Sequence, residues 1–321
     1  MGASNAPLNK KMDKYIIITP DGVGSTILQR TLTVGLNLQG HYTINTHELV
    51  NGIKINKGVI SRDDTKMYTQ SLDDIQNILM DSKTSIVSRL AKYHLDARRE
   101  LKDSDQDHAK FFDFVNKFYD KKIVCLRRNV FEYAMSWSIR EKSNVINVYN
   151  KEDKDKVLQV NEVDEKYFIR KCKEYKEYFY WIDHFKPHKI FYYEDFLKEP
   201  DKVLSELAEK HIDFKQHFNL PLKELLKNEY IGFNNLVLQQ HIDLDKNQMQ
   251  ALVNYKLYNQ KLQKQNIIPG MSPIKNTSLA DKQKQIKNFQ NCLDLFYNFV
   301  GNDNWIDKSI ATYDFWNDKS L

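Results

Sequence analysis

One stretch, YIIITPDGVGSTILQRTL at 15–32, constrains this chain more than any other. Tyr15 to Thr19 is a β-branched apolar run, too short for a helix and composed as a buried parallel strand is. Pro20-Asp21-Gly22-Val23-Gly24 interrupts it, and a proline with two glycines so close together makes a turn. Ser25 and Thr26 then open an amphipathic helix with Ile27, Leu28, Leu32 and Leu36 along one side. Strand, glycine turn and helix N-terminus in that order form an anion site, because free backbone N–H groups and the positive end of the helix dipole converge there. The expectation is a P-loop-like cradle for phosphate or phosphosulfate made by Gly22, Val23, Gly24, Ser25 and Thr26. A Walker A turn would carry Lys before its Ser/Thr, where Gly24 stands, and the third glycine of a dinucleotide fingerprint is Ile27.

The remaining pattern alternates strands with helices. Residues 40–82 are polar and mixed, with NGIKINKGVISRDD as a hairpin or loop and a short helix at 72–80. Ser85–Leu90 alternates like a strand and runs into Lys92, Tyr93 and His94. A helix at 107–122 leads to the strand KIVCLRRN, then the helix FEYAMSWSIREK. The spacing predicts a polar surface excursion at 143–163 and an aromatic-striped helix at 164–185, followed by a strand, KIFYYEDF. Pro200 starts another helix at its favoured first position. Residues 212–265 read as helical, Ser278 and Asp281 as a capping box, and Ile286, Phe289, Leu293, Phe296 and Val300 as a buried helix face. The fold class predicted is α/β: a three-layer α/β/α domain at 15–321 with a central, mostly parallel sheet, after a tail at 1–14.

Bulk properties narrow the partners. With 48 basic against 43 acidic residues, interspersed, the net charge of +5 is too mild for nucleic acid and fits small anions. No apolar run approaches a membrane span, and 1–14 lack a signal-peptide core. Cys125, Cys172 and Cys292 stand far apart in apolar contexts, as buried thiols of a reducing compartment do. The expectation is a soluble cytoplasmic protein with no metal, since no His/Asp/Glu cluster has ligand spacing.

Strand ends carry the chemistry. Arg127 and Arg128 close one strand, and Ser136 follows eight residues after Arg128, a spacing that lets an Arg fork and a hydroxyl meet on one phosphate. Tyr193, Glu194 and Asp195 end another. In this order the three segments resemble the sulfotransferases that use 3′-phosphoadenosine 5′-phosphosulfate (PAPS). Gly24-Ser25-Thr26 is similar to that family's phosphosulfate loop, Arg128 to Ser136 to its 3′-phosphate motif, and YYEDFLKEPDKVLSELA to its Tyr-Glu-Asp strand and helix.

The resemblance implies sulfuryl transfer from PAPS to a hydroxyl or amine of a small-molecule or glycan acceptor. Tyr193 would touch the adenine, and Lys275 would be a late basic residue near the 3′-phosphate. His94 is the candidate general base, with Glu48, His41 and His47 as rivals. Two positions depart from the family: Val130 replaces a common Pro, with Asn129 still able to cap, and Gly22 replaces the basic residue that steadies the leaving oxygen. Arg89, then Lys92, are the candidates for that missing charge. A PAPS-binding protein without transfer is an alternative; a P-loop nucleotide kinase is disfavoured by the absent Lys and magnesium carboxylates.

Overall fold

The computed structural model describes residues 12–39, 41, 43–66, 69–100, 105–145, 151–218, 221–223, 279–301, 305–307 and 311–312. The chain opens with β1 (Lys14–Thr19), α1 (Ser25–Leu38) and β2 (Thr43–Glu48), then a hairpin of β3 (Ile53–Asn56) and β4 (Val59–Arg62). Next come α2 (Leu72–Met80), β5 (Ser85–Ala91), α3 (Lys92–Glu100), α4 (Asp105–Phe118), β6 (Lys121–Leu126) and α5 (Val130–Ser143). They are followed by α6 (Lys151–Gln159), α7 (Glu165–Ile182), β7 (Lys189–Tyr192), α8 (Tyr193–Lys198), α9 (Pro200–Ala208) and α10 (Phe214–Phe218). The last described helices are α11 (Leu279–Gln285) and α12 (Phe289–Gly301).

Ile16, Ile17 and Ile18 are fully buried, so β1 has no polar face and takes the centre of the sheet. The order is β2-β5-β1-β6-β7, and every pairing in it is parallel. From β1 the chain runs through α1 toward β2, whereas from β6 it runs through α5 toward β7. Right-handed crossovers put these connections on opposite faces of the sheet, giving three α/β/α layers. They also open a crevice at the carboxyl ends of β1 and β6, where sheets of this kind hold ligands.

Local chemistry sets the helix ends around that crevice. Asn129 caps α5, its Oδ1 accepting from the Glu132 N–H at 2.7 Å. Asp164 caps α7 by accepting from the N–H groups of Lys166 and Tyr167. Phe131 then meets Phe168, Phe289 and Phe296 at 5.2–5.6 Å between ring centres, joining α5 to α7 and α12.

The fold corrects several local expectations. The described part of 143–163 is not a surface excursion: α6 lies there, and Val145, Val157, Val160 and Val163 are buried. Polar TINTHE is β2, outermost in the sheet, where Thr46 donates to Ser88 Oγ at 2.8 Å. KIFYYEDF stops being a strand at Tyr192, and Tyr193, Glu194 and Asp195 open α8 instead. Lys92 to His94 likewise begin a helix directly off β5. The hairpin, the helix at 72–80 and the Pro200 start stand as expected. Ser278 and most of 212–265 lie outside the described residues.

Candidate functional site

The turn between β1 and α1 is shaped by two left-handed residues, Gly22 at φ 77° and Gly24 at φ 79°. Gly24 is the N-cap of α1 and supplies no side-chain cap; the Ile27 N–H bonds the Gly24 carbonyl at 3.1 Å, which leaves the N–H groups of Ser25 and Thr26 facing the turn without a side-chain cap. Both glycines are pressed by aromatic rings. A Cβ on Gly24 would overlap ring carbons of Tyr193, and one on Gly22 would stand 2.8 Å from Trp137 Nε1. That Nε1 also donates to the Asp21 carbonyl at 3.4 Å. Trp137 had no part in the sequence reading, and its role follows only from α5 crossing the turn.

β5 brings a cation from the other side. Its register sets Ala91 level with Thr19, so Arg89 and the start of α3 stand beside the turn. Arg89 Nη1 donates to Thr26 Oγ1, and its Nε donates to Glu48 Oε2 at 3.0 Å. Glu48 Oε1 also accepts from the Ala91 N–H at 3.1 Å, so one buried carboxyl group aims Arg89 and ties β2 to β5. Lys92 is drawn off to Asp96 at 2.6 Å along α3. His94 sits half-buried in the first turn of α3, its ring edge-on to Tyr93. His41, by contrast, pairs with Asp13 ahead of β1, at the opposite end of the sheet.

Burial pushes the Glu48 carboxyl up to about 8, against the pull of Arg89 and the Ala91 N–H. The folded state therefore holds a proton between the ordinary carboxylate range and pH 8 that the unfolded chain has lost. Stability should fall as pH rises through that window, by at most about 1.4 kcal/mol per pH unit, and level off above it. Glu48→Gln should flatten this part of the profile. Urea titrations from pH 5 to 9 that keep the same slope in the variant would exclude Glu48 as its source.

On the β6 side two arginines have separate jobs. Arg127 is buried and structural, its Nη2 donating to Glu132 at 3.0 Å with Glu194 near its Nε at 3.8 Å. Arg128 lies 4.1 Å over the Tyr192 ring, and its Nη2 donates to both Asp195 carboxylate oxygens, at 2.6 and 2.9 Å. Its backbone N–H donates to the Glu194 carboxylate, which fastens β6 to the start of α8. Ser136 Oγ accepts from Lys282 Nζ at 3.0 Å, and the same ammonium donates to Glu132 at 2.8 Å. Burial lowers the Lys282 pKa, opposed by Glu132. Lys275 lies outside the described residues. Lys282, seven positions later, is the late basic residue that reaches Ser136, and nothing in LADKQKQ marks it out.

Gly22 to Thr26, Arg89, Arg128, Ser136, Lys282 and Tyr193 thus collect at the carboxyl ends of β5, β1 and β6. No family model matches the chain, and no curated protein or solved structure was found to match it. Among the described residues no cluster of His, Cys, Asp and Glu is arranged to hold a metal ion, and no helix is long and apolar enough to cross a membrane. The three cysteines are buried free thiols.

Proposed function

We propose that the chain is a sulfotransferase, moving the sulfuryl group of PAPS to a hydroxyl or amine of a small-molecule or glycan acceptor in the cytoplasm. One observation carries the reading. Segments that resemble the sulfotransferase motifs, at 22–26, 128–136 and 193–195, lie far apart in sequence yet share one crevice, with the Tyr193 ring against Gly24 and the Glu194 carboxylate on the Arg128 N–H. The residues present fit the donor. Gly22 to Thr26 would hold its phosphosulfate, Arg128, Ser136 and Lys282 its 3′-phosphate, and Tyr193 its adenine.

PAPS supplies an activated sulfuryl group. The acceptor atom bonds to sulfur while sulfur's bond to the 5′-phosphate oxygen breaks, and 3′,5′-phosphoadenosine (PAP) departs. His94 takes the acceptor proton. Arg89, held on Thr26 by Glu48, meets charge at the helix end of the turn without reorganising during the reaction. The turn's backbone N–H groups and dipole add to it.

Calorimetry with PAP tests the reading. Wild type should bind, and Arg128→Ala should bind about 10–100-fold more weakly, the worth of a forked charge-assisted contact. Asp195→Asn should bind several-fold more tightly, because Arg128 no longer has to leave a carboxylate to reach the ligand. Unchanged affinity in a folded Arg128→Ala variant would overturn the 3′-phosphate assignment. Stronger binding of ATP-magnesium than of PAP would favour the kinase alternative, and PAP binding without labelled-sulfate transfer the inactive one.

A further inference from the structure

Most basic side chains around the turn already have an acid. Arg89 pairs with Glu48, Lys92 with Asp96, Arg127 and Lys282 with Glu132, Arg128 with Asp195, and Lys171 with Glu174. Arg140 makes no ion pair among the described residues. It stands one helical turn beyond Ser136, and residues four apart share a helix face. Its guanidinium is 5.3 Å from the ring centre of Trp137, the same indole that covers Gly22 and donates to the Asp21 carbonyl. Lys171 reaches that ring from α7, at 5.1 Å, but its charge is held by Glu174 at 2.6 Å. Burial holds the guanidinium below its ordinary pKa, with the charge of Asp21 acting in the opposite direction.

The strand end of the turn therefore has no basic side chain of its own and no room for one. A side chain on Gly22 would run into Trp137, and the guanidinium nearest that ring without an acid of its own is Arg140 on α5. Arg89 is engaged at the helix end, by Thr26 and Glu48. We infer that Arg140 is the second cation of the reaction, meeting the negative charge that gathers on the 5′-phosphate oxygen as sulfur leaves it. The assignment rests on the sulfotransferase reading. In that transfer the acceptor gains the sulfuryl group, the 5′-phosphate oxygen keeps the electron pair of the broken bond, and Arg140 moves no proton.

A cation with this role binds the product better than the donor, since the released oxygen carries its full charge only in PAP. Calorimetry with PAP, PAPS and adenosine 3′-phosphate, which has no 5′-phosphate, reads that preference without any acceptor. Arg140→Gln should weaken PAP about tenfold or more, PAPS less, and adenosine 3′-phosphate less than about threefold. Arg140→Lys should recover part of the loss. Arg140→Met, which keeps apolar packing on Trp137, should repeat the Gln result and serves if Gln does not fold. Equal losses for PAP and PAPS, an equal loss for adenosine 3′-phosphate, or no loss at all would overturn the assignment of Arg140 while leaving nucleotide binding in place. A wild type that binds none of the three would take the sulfotransferase reading down with it.

Discussion

Gly24→Ala should lose stability and nucleotide affinity together. The backbone there is left-handed at φ 79°, which costs an L-residue about 1–2 kcal/mol. The new methyl would also overlap the Tyr193 ring, whose residue is only 6% exposed and has little room to retreat, and overpacking of that kind costs about 1–3 kcal/mol. Together these lower the unfolding free energy by about 2–5 kcal/mol, a shift readable in urea. Affinity goes as well, because Gly24 aims the first N–H groups of α1. A double variant with Tyr193→Ala separates the two costs. If the ring is the obstacle, Gly24→Ala should cost clearly less in the Tyr193→Ala background than in wild type. Equal costs in both backgrounds would leave backbone strain as the whole effect and remove Tyr193 from the argument.

His94→Ala should lower turnover about 10²–10⁴-fold with PAP affinity unchanged, the signature of a lost general base. His94 is the candidate because Ala91 of β5 pairs level with Thr19 and α3 starts at once, which puts residue 94 in the first turn of a helix that begins beside the glycine turn. Glu48 is the other carboxyl-end candidate, yet it is 2% exposed and both its oxygens accept from donors within the fold. It orients Arg89, so its loss should perturb the cation, whereas on the sulfotransferase reading loss of His94 would remove the proton acceptor. Steady-state rates with an identified acceptor, alongside PAP calorimetry, decide between them. A parallel fall of turnover and affinity in His94→Ala would make it a nucleotide contact.

The features legible in the sequence are those whose cause is local. Ile16, Ile17 and Ile18 form an unbroken apolar run because both faces of β1 are covered, the glycines of the turn are needed where φ is positive, and Asn129 caps the helix it precedes. What stayed hidden depends on distant partners. TINTHE is polar because Thr46 is satisfied by Ser88 and Glu48 by Arg89, some forty residues on. Aromatic YYEDF looks like continuing strand, but Glu194 turns back to the N–H groups of Arg128 and Asn129 and a helix begins. Lys282 is an ordinary lysine of a polar helix until Glu132 and Ser136 stand opposite it. Trp137 reads as a routine residue of a helix, and only the crossing of α5 over the turn sets it against Gly22.

The position of β1 bears on how the chain is made. Lys14 pairs with Ile86 and Tyr15 with Lys121, so the most apolar strand emerges well before both the strands it pairs with. At roughly 5–20 residues per second, a ribosome leaves that strand without its β6 edge for about 5–20 s. Pairing across such separations is slow to nucleate, and an uncovered run of isoleucines is a template for other chains meanwhile. The strand that centres the finished sheet is thus the segment most in need of shielding while the protein is being born.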